Sequence, residues 1–173
     1  QIGLSNIKYE SILDLPWLFK SEFLVPKNKF ALIVPGGSKK RVNKRIPIEI
    51  YKNIVIFLLK NNYDVLIVGG AENKKICKRI KLNFPSVKDL CNKTSLFDLG
   101  KLSKYSSISI GNDTGPIHLI SKGGNNTFVF FTKFSKPELC SPIGEKVSIF
   151  KFQNNNKKFI DEVLKKLKIK LSL

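Results

Sequence analysis

The sequence predicts an α/β fold: a Rossmann-like parallel sheet with helices on both faces. From residue 30 onward, short apolar segments alternate with segments in which apolar residues recur at helical spacing, the order expected of strand–helix–strand units. The apolar segments show no polar alternation, so the strands are expected to be buried on both sides, as in parallel sheets. A length of 173 residues is sufficient for one such domain with a sizeable core.

Residues 1–29 do not follow this pattern. Prolines interrupt the segments SILDLPWLF and EFLVPKNK, which predicts a connecting segment that packs on a neighbouring surface, with Trp17 as its anchor. The predicted domain therefore covers residues 30–173. Because the chain contains no methionine, we expect Gln1 not to be the natural N-terminus and the chain to be part of a longer protein.

Strands and helices alternate after residue 30. The predicted strands are FALIV (30–34), YDVLIVGG (63–70), VKDL (87–90), SISIG (107–111), TFVFF (127–131) and KVSIF (146–150). The predicted helices are IPIEIYKNIVIFLLKNN (46–62), a lysine-rich helix around 72–82, TSLFDLGKLSKY (94–105), TGPIHLISK (114–122) and NNNKKFIDEVLKKLKIKL (154–171). Pro47 lies near a first turn, where proline is tolerated. Ser95 and Asp98 have the spacing of a capping box, and the asparagine run is expected to cap the last helix.

Composition narrows the classes of partner. The chain has 31 lysines and arginines against 13 aspartates and glutamates, a net charge of +18, which favours phosphate-bearing partners: nucleotides, anionic lipid headgroups or nucleic acid. Only Arg41, Arg45 and Arg79 are arginines, whereas nucleic-acid readers usually favour arginine. Much of the charge is therefore interpreted as a solvated face. No apolar run reaches the roughly 18 residues needed to span a bilayer.

The cysteines point to a reducing compartment. Cys77, Cys91 and Cys140 are odd in number and widely spaced, and neither a CxxC pair nor a histidine cluster accompanies them. This pattern favours a cytosolic protein with structural thiols, and it argues against a disulfide scaffold or a zinc site. We expect no bound metal.

Three glycine-bearing turns follow predicted strands: PGGS (35–38), VGGAE (68–72) and IGNDTGP (110–116). Ligands of such folds bind beyond the carboxyl ends of the strands, so the turns are expected to line one crevice if their strands are neighbours. None of the turns is diagnostic alone, since the first lacks the spacing of a P-loop and the second lacks a GxGxxG fingerprint. At each, a tight turn that simply requires glycine is the alternative.

The third turn carries the richest set of functional groups. Asp113 or Thr114 can cap the following helix, and Pro116 fits its first turn. The free N–H groups and the helix dipole at that point suit a phosphate. His118, the only histidine, shares a helix face with Thr114. It can donate to a phosphate or hold a capping carboxylate, and a purely structural histidine is the alternative.

The order of these motifs resembles a known family. PGGS, NKRIP, VLIVGGAE, NKTSLFDLGKLSKY and SISIGNDTGPIHLI follow one another as do the PGAS-like turn, KRWP motif, GG-ended strand, KTSL segment and DTGPMHLAAALG motif of the ADP-heptose:lipopolysaccharide heptosyltransferases, the ninth glycosyltransferase family. The resemblance covers roughly residues 30–145. It implies the C-terminal, donor-binding half of a two-domain GT-B glycosyltransferase, and it implies that the N-terminal acceptor domain, with its general-base aspartate, is absent from this chain.

The resemblance also implies roles for individual residues. Lys44 pairs with the donor diphosphate, which Ser38, the Gly37 backbone, Thr114 and Gly115 hydrogen-bond. Asp113 faces the donor sugar and the reacting centre, and His118 backs the phosphate contacts. Thr94 lies against the adenine and Glu72 against the ribose hydroxyls. The implied catalytic residues are Asp113, Lys44 and His118, and the implied donor-binding residues are Gly37, Ser38, Glu72, Thr94, Thr114 and Gly115. Such cations and N–H groups stabilise the charge that grows on a departing diphosphate without a metal or a further cofactor.

The implied reaction moves a sugar, heptose in the family, from an ADP-sugar to a lipopolysaccharide core-type acceptor with inversion. We expect a cytoplasmic location with peripheral contact at the anionic inner face of the inner membrane, and no activity from this part alone. Ile46 replaces the tryptophan of KRWP and ISKGG (120–124) replaces AAALG, which leaves the donor choice open. A non-catalytic nucleotide-binding module is the alternative, and a basic nucleic-acid-binding domain ranks third.

Overall fold

The computed structural model describes residues 16–144 and 146–173. Its centre is a six-stranded, all-parallel sheet in the order β3-β2-β1-β4-β5-β6. The strands are Phe30–Val34 (β1), Asp64–Ile67 (β2), Lys88–Asp89 (β3), Ile108–Asn112 (β4), Asn126–Phe131 (β5) and Val147–Lys151 (β6). The predicted parallel sheet is confirmed, and so is each of the six predicted strands. The chain runs outward from β1 to β3 and then returns to the other side of β1, where β4 pairs with it. This change of direction creates a topological switch point between β1 and β4.

The helices are Ile48–Lys60 (α1), Lys74–Asn83 (α2), Leu96–Tyr105 (α3), Gly115–Ile120 (α4), Pro137–Cys140 (α5) and Asn156–Leu171 (α6). Short 3-10 helices cover Pro16–Phe19, Lys39–Lys44, Ala71–Asn73 and Ser121–Gly123. The five predicted helices are confirmed, with α1 beginning after Pro47 rather than at Ile46. The sequence did not predict α5 or the 3-10 helix Lys39–Lys44, because segments this short have no measurable period.

Two predicted helix caps are present. Asp98 N donates to Ser95 Oγ at 3.1 Å, and Ser95 N donates to Asp98 Oδ2 at 2.8 Å, which closes the capping box of α3. At the start of α6, Lys158 N donates to Asn155 Oδ1 at 3.0 Å. In both places a polar side chain accepts from an N–H group that the first turn of a helix leaves without a partner.

Each face of the sheet is covered by helices. Strand residues alternate between the faces: Ala31 and Ile33 contact α1, α2 and α6, whereas Leu32 and Val34 contact α3 and α4. The first face is packed by aromatic side chains from β5, β6 and α6, namely Phe128, Phe130, Phe150 and Phe159. This arrangement leaves the strands buried on both sides, as their unbroken apolar sequences predict.

Part of the predicted connecting segment is described, and it packs on α3. Leu18 is only 2% exposed, while Trp17 is 53% exposed and meets the ring of Phe97 edge-on with 6.1 Å between centroids. Leu18 is therefore the anchor, and the expectation that Trp17 has this role is wrong. Lys101 Nζ also donates to Ser21 O at 2.6 Å. Residues 1–15 lie outside the described residues. Within the described part of the chain, no helix is long and apolar enough to cross a membrane.

Candidate functional site

The three glycine-bearing turns meet at one cleft. Because β1 lies between β2 and β4, the carboxyl ends of these strands are adjacent, and the loops that leave them enclose a cavity of about 590 Å³. The prediction that the turns line one crevice is confirmed. The cleft is lined by Val34, Gly36, Gly37, Ser38, Arg41, Lys44, Arg45, Glu72, Asn73, Asn112, Asp113, Thr114, Gly115, Pro116, His118 and Cys140.

The cleft brings together all but one of the residues proposed for the site. Lys44, Asp113 and His118 line it together with Gly37, Ser38, Glu72, Thr114 and Gly115. Thr94 is the exception, because it lies between β3 and α3 and is not part of the lining. Its predicted contact with adenine stays a prediction.

Asp113 is the centre of a charged group in the cleft. It is 7% exposed, and its Oδ2 lies 2.6 Å from Lys44 Nζ, while its Oδ1 lies 3.2 Å from His118 Nε2. Burial raises the pKa of the Asp113 carboxyl, but the hydrogen bonds from Lys44 and His118 outweigh it, and the pKa lies below its ordinary value. Asp113 is therefore an anion at neutral pH, held by one group on each oxygen. Of the roles left open for His118, the structure shows the contact with a carboxylate.

Neither Asp113 nor Thr114 caps α4 with its side chain. Thr114 occupies the N-cap position, one of the two predicted, but makes no side-chain hydrogen bond there, and Asp113 is directed to Lys44 and His118 instead. The Thr114 hydroxyl is buried and has no hydrogen-bond partner among the described residues. A Cβ added at Gly115 would meet no atom within 4 Å. The start of α4 therefore has open space at Gly115 and, next to it, a buried hydroxyl without a partner among the described residues.

Cys140 is a cleft residue that the sequence analysis assigned to a structural role. The short helix α5 places its Sγ 3.7 Å from Asp113 Oδ2 and 3.1 Å from Lys136 O. Burial raises the pKa of the Cys140 thiol, and the nearby Asp113 carboxylate raises it further. No sequence signal indicated that Cys140 lies in the cleft. A four-residue helix has no detectable period, and Cys140 is 27 residues away from Asp113 in the chain.

Three polar side chains that the sequence did not predict for the site form hydrogen bonds to the backbone of the PGGS turn. Asn73, Asn112 and Arg45 each donate a hydrogen bond to a backbone carbonyl of residues 35–37. Their positions in the sequence could have indicated them, because each is adjacent to a residue predicted for the site. Asn112 directly precedes Asp113, Arg45 directly follows Lys44, and Asn73 directly follows Glu72.

Two of the cysteines form a separate cluster with Asp89. The ligand atoms of Cys77, Asp89 and Cys91 lie within 4.8 Å of one another, and Cys91 Sγ donates to Gly70 O at 3.3 Å. Burial raises the pKa of both thiols. The thiols are thus neutral at pH 7 and pack in the core of the α1, α2 and α6 face.

The family of the chain follows from a comparison with known families. The model of glycosyltransferase family 9 (heptosyltransferase) matches residues 19–169. The chain belongs to glycosyltransferase family 9. A search of curated protein sequences found no match.

Solved structures of family 9 proteins share this fold. The structure of E. coli ADP-heptose LPS heptosyltransferase II superposes with a TM-score of 0.76 at 16% identity, covering 96% of this chain and 52% of that one. The structure of E. coli heptosyltransferase WaaC with ADP superposes with a TM-score of 0.72 at 17% identity, covering 84% of this chain and 46% of that one. The structure of the family 9 glycosyltransferase from Veillonella parvula superposes with a TM-score of 0.70 at 15% identity, covering 96% of this chain and 52% of that one. The chain spans about half of the length of these structures.

Proposed function

We propose that this family 9 chain is the donor-binding half of a glycosyltransferase. It binds an ADP-sugar, with heptose as the sugar by analogy with the family, for transfer to a lipopolysaccharide core-type acceptor. The observation that carries the proposal is the group formed by Lys44, Asp113 and His118 at the convergence of the three turns. Similar structures were solved with ADP and with ADP-2-deoxy-2-fluoro heptose, which supports an ADP-sugar as the donor.

The diphosphate of the donor is proposed to lie between the PGGS turn (35–38) and the start of α4. Lys44 supplies the positive charge, and Ser38 with the Gly37 backbone supplies hydrogen-bond donors from one side. The free hydroxyl of Thr114 and the N–H of Gly115 supply donors from the other side. Glycosyl transfer leaves negative charge on the departing diphosphate, and donors fixed in advance stabilise that charge with no reorganisation at the moment of reaction.

Asp113 is proposed to face the donor sugar. Its carboxylate is a neighbour of Lys44, so the ammonium group can contact the carboxylate and a phosphate oxygen at once, since it has three N–H donors. His118 holds the other carboxylate oxygen and thereby fixes the orientation of the group. The exposed Glu72 carboxylate lies on the β2 side of the cleft, where it can accept hydrogen bonds from ribose hydroxyls, and Thr94 is proposed to contact the adenine.

The remaining parts of the reaction are proposed to lie outside this chain. Residues 1–29 connect the donor-binding domain, residues 30–173, to an N-terminal acceptor domain that carries the general base. A cytoplasmic location follows from the donor, and the net charge of +18 allows contact with anionic headgroups at the inner face of the inner membrane. The reaction needs no metal or further cofactor, because Lys44 and the N–H groups meet the diphosphate charge.

Isothermal titration calorimetry on the intact chain tests the proposal. ADP is expected to bind with a micromolar to millimolar Kd, and adenosine is expected to bind more weakly because it lacks the diphosphate. Absence of ADP binding at millimolar concentration would show that the donor assignment is wrong. Release of ADP from ADP-heptose by the whole protein in the presence of acceptor distinguishes an enzyme from a nucleotide-binding module, which would bind ADP and release none.

A further inference from the structure

The first three carbonyls of the PGGS turn, those of Pro35, Gly36 and Gly37, accept hydrogen bonds from side chains. Asn112 Nδ2 donates to Pro35 O at 3.0 Å and to Gly36 O at 2.9 Å. Asn73 Nδ2 donates to Gly37 O at 3.0 Å, and Arg45 Nη2 donates to the same oxygen. The three donors come from the ends of β4 and β2 and from the loop after β1, so the turn is fixed from three directions.

These bonds determine where the N–H groups of the turn point. In a trans peptide the N–H of one residue is antiparallel to the carbonyl of the residue before it, and no cis peptide bond occurs among the described residues. The carbonyls of Pro35, Gly36 and Gly37 point at the side chains of Asn112, Asn73 and Arg45, so the N–H groups of residues 36, 37 and 38 point away from these side chains. Within residues 16–144 and 146–173, none of these N–H groups has a hydrogen-bond acceptor, and all three residues line the cleft.

The amide groups of the two asparagines can be oriented in only one way. Asn112 Oδ1 accepts from Tyr51 Oη at 2.8 Å and from Ile46 N at 3.4 Å, and burial raises the pKa of the Tyr51 hydroxyl, which stays protonated. Asn73 Oδ1 accepts from Gly70 N at 3.2 Å. With both oxygens occupied by donors, the NH₂ groups must face the carbonyls of the turn.

Gly36 makes room for one of these contacts. A Cβ at position 36 would lie 2.6 Å from Asn73 Oδ1, and a Cβ at Gly69 would lie 3.1 Å from the same atom. The Asn73 side chain thus sits between two glycine turns and joins them. Gly36 and Gly69 are therefore explained by the close approach of Asn73 and not only by turn geometry.

We propose that Asn73, Asn112 and Arg45 are positioning residues that hold the PGGS turn with its three N–H groups directed at the donor diphosphate. Consecutive N–H groups that point into one concavity bind anions, and fixing them in advance avoids the cost of ordering them when the ligand binds. Asn73 is 5% exposed and Asn112 is fully buried. Their amide groups are already hydrogen-bonded to backbone carbonyls, so the two asparagines act on the ligand by holding the turn. This inference rests on the proposed function, because it takes the ligand to be a diphosphate.

The test compares ligands with and without the diphosphate. Kd values for pyrophosphate, ADP and adenosine are measured by NMR titration for the wild-type chain, for Asn73→Ala and for Asn83→Ala. Asn83 is the matched control, because its Nδ2 also donates to a backbone carbonyl, that of Arg79, on the exposed face of α2. Loss of the Asn73 hydrogen bond in Asn73→Ala is expected to raise the Kd values for pyrophosphate and ADP about tenfold. Adenosine binding in Asn73→Ala, and all three Kd values in Asn83→Ala, are expected to match the wild type.

The outcomes separate the two proposals. A wild-type chain that binds neither ADP nor pyrophosphate overturns the proposed function and this inference with it. If the wild type binds both but Asn73→Ala binds pyrophosphate equally well, the positioning role is overturned while the donor site stands. An equal loss for adenosine and pyrophosphate also overturns the positioning role, because a general disturbance of the cleft would produce it.

Arg45→Ala provides a second variant in a half-buried position, for use if Asn73→Ala does not fold, with Arg79→Ala as its control. A loss of affinity for pyrophosphate that is the same at about 0.05 M and about 0.5 M salt supports positioning through the Gly37 carbonyl. A loss that disappears at high salt shows that Arg45 acts as an exposed charge, and the positioning role of Arg45 is then overturned.

Discussion

Lys44 Nζ lies 2.6 Å from Asp113 Oδ2, although the two residues are 69 positions apart in the chain. Lys44 ends the 3-10 helix that follows β1, and Asp113 directly follows β4. The ion pair therefore spans the switch point of the sheet, where the two halves of a Rossmann-like fold diverge and leave a crevice. Both residues line the cleft, so the pair presents a cation and an anion to whatever binds there.

Replacement of Lys44, the one lysine among the described residues that lines the cleft, is expected to weaken binding of the donor. Lys44→Ala removes a charge-assisted contact with the diphosphate, which is expected to raise the Kd for ADP by about tenfold or more. The same change leaves Asp113 without its cation and close to the phosphates, which adds electrostatic repulsion. Calorimetric titration with ADP measures the effect.

Lys40→Ala is the control for this prediction. Lys40 lies in the same 3-10 helix, is exposed and does not line the cleft. It contributes the same formal charge to the surface, so a general loss of positive potential would affect both variants equally. Equal Kd values for ADP in Lys40→Ala and Lys44→Ala would show that the specific contact of Lys44 does not exist.

The stability of the fold is expected to depend on pH through Asp113. The pKa of Asp113 in the folded chain lies below its ordinary value, so its charged form stabilises the fold above the unfolded pKa of about 3.9. This contribution is lost as the pH falls through the lowered folded pKa. Asp113→Asn is expected to reduce the free energy of unfolding by about 2 kcal/mol at pH 7.

Urea unfolding at pH 7, 5, 4 and 3 measures the difference between wild type and Asp113→Asn. The difference is expected to shrink below about pH 5, because the carboxyl of the unfolded wild type begins to take up protons there, and to be lost as the pH falls through the lowered pKa of the folded chain. The groups that face this carboxylate are Lys44, His118 and Cys140, and all three are retained in the variant. A difference that stays constant down to pH 3 would contradict the lowered pKa.

Much of the fold could be predicted from the sequence because its signals are local. Apolar runs of five residues, a helical period in 46–62 and a capping box at Ser95 and Asp98 each depend on neighbours in the chain. The strand order depends on contacts between distant strands, so the sequence left it open and predicted a shared crevice only on the condition that the strands before the glycine turns are neighbours. The short helix α5 and the 3-10 helix Lys39–Lys44 have no period to detect, and tertiary contacts determine them.

The candidate site was predictable where charge or motif order marked a residue. Asp113 and His118 stood out by their chemistry in the third glycine-bearing turn, and Lys44 by the resemblance of NKRIP to the KRWP motif. The structure places Lys44 and His118 in contact with Asp113. Asn73 and Asn112 were missed because their effect lies in hydrogen bonds to a turn that is 36 or more residues away. A buried amide and a solvated amide look the same in a sequence. Only the fold shows that these two satisfy the carbonyls of one turn.

Alkylation is expected to select Cys140 among the three free thiols. Cys140 is half-buried in the cleft, whereas Cys77 and Cys91 are buried in the core. Because the pKa of the Cys140 thiol is raised, little thiolate is present at pH 7, and the rate of modification by iodoacetamide is expected to increase as the pH rises toward 9. ADP bound in the cleft is expected to slow the reaction.

Mass spectrometry of peptides identifies the modified residue, and Cys140→Ser supplies the control, which should take up no label under the same conditions. Modification of Cys77 or Cys91 at a rate equal to that of Cys140 would contradict the burial of these two thiols. The same rate for Cys140 with and without saturating ADP would place ADP outside this part of the cleft.

The contact of Leu18 with α3 is expected to depend on a glycine. A Cβ at Gly100 would lie 2.7 Å from Leu18 Cγ and would also overlap the Leu18 carbonyl. Alanine favours a helix over glycine by about 1 kcal/mol, but the overlap with a nearly fully buried leucine is expected to cost about 1–3 kcal/mol. Gly100→Ala is therefore expected to destabilise the chain and to shift the emission of Trp17, the only tryptophan, to longer wavelength as Trp17 leaves Phe97.

A double-mutant cycle with Leu18→Ala locates the cause of that effect. Leu18→Ala alone is expected to cost about 2–5 kcal/mol, as do other replacements of buried leucines. In this background the side-chain overlap with position 100 no longer exists, so Gly100→Ala should cost less than it does in the wild type. Changes in the free energy of unfolding that add within about 0.5 kcal/mol would show that the two positions act independently. The overlap at position 100 would then come from the Leu18 carbonyl, which Leu18→Ala retains, and not from the leucine side chain.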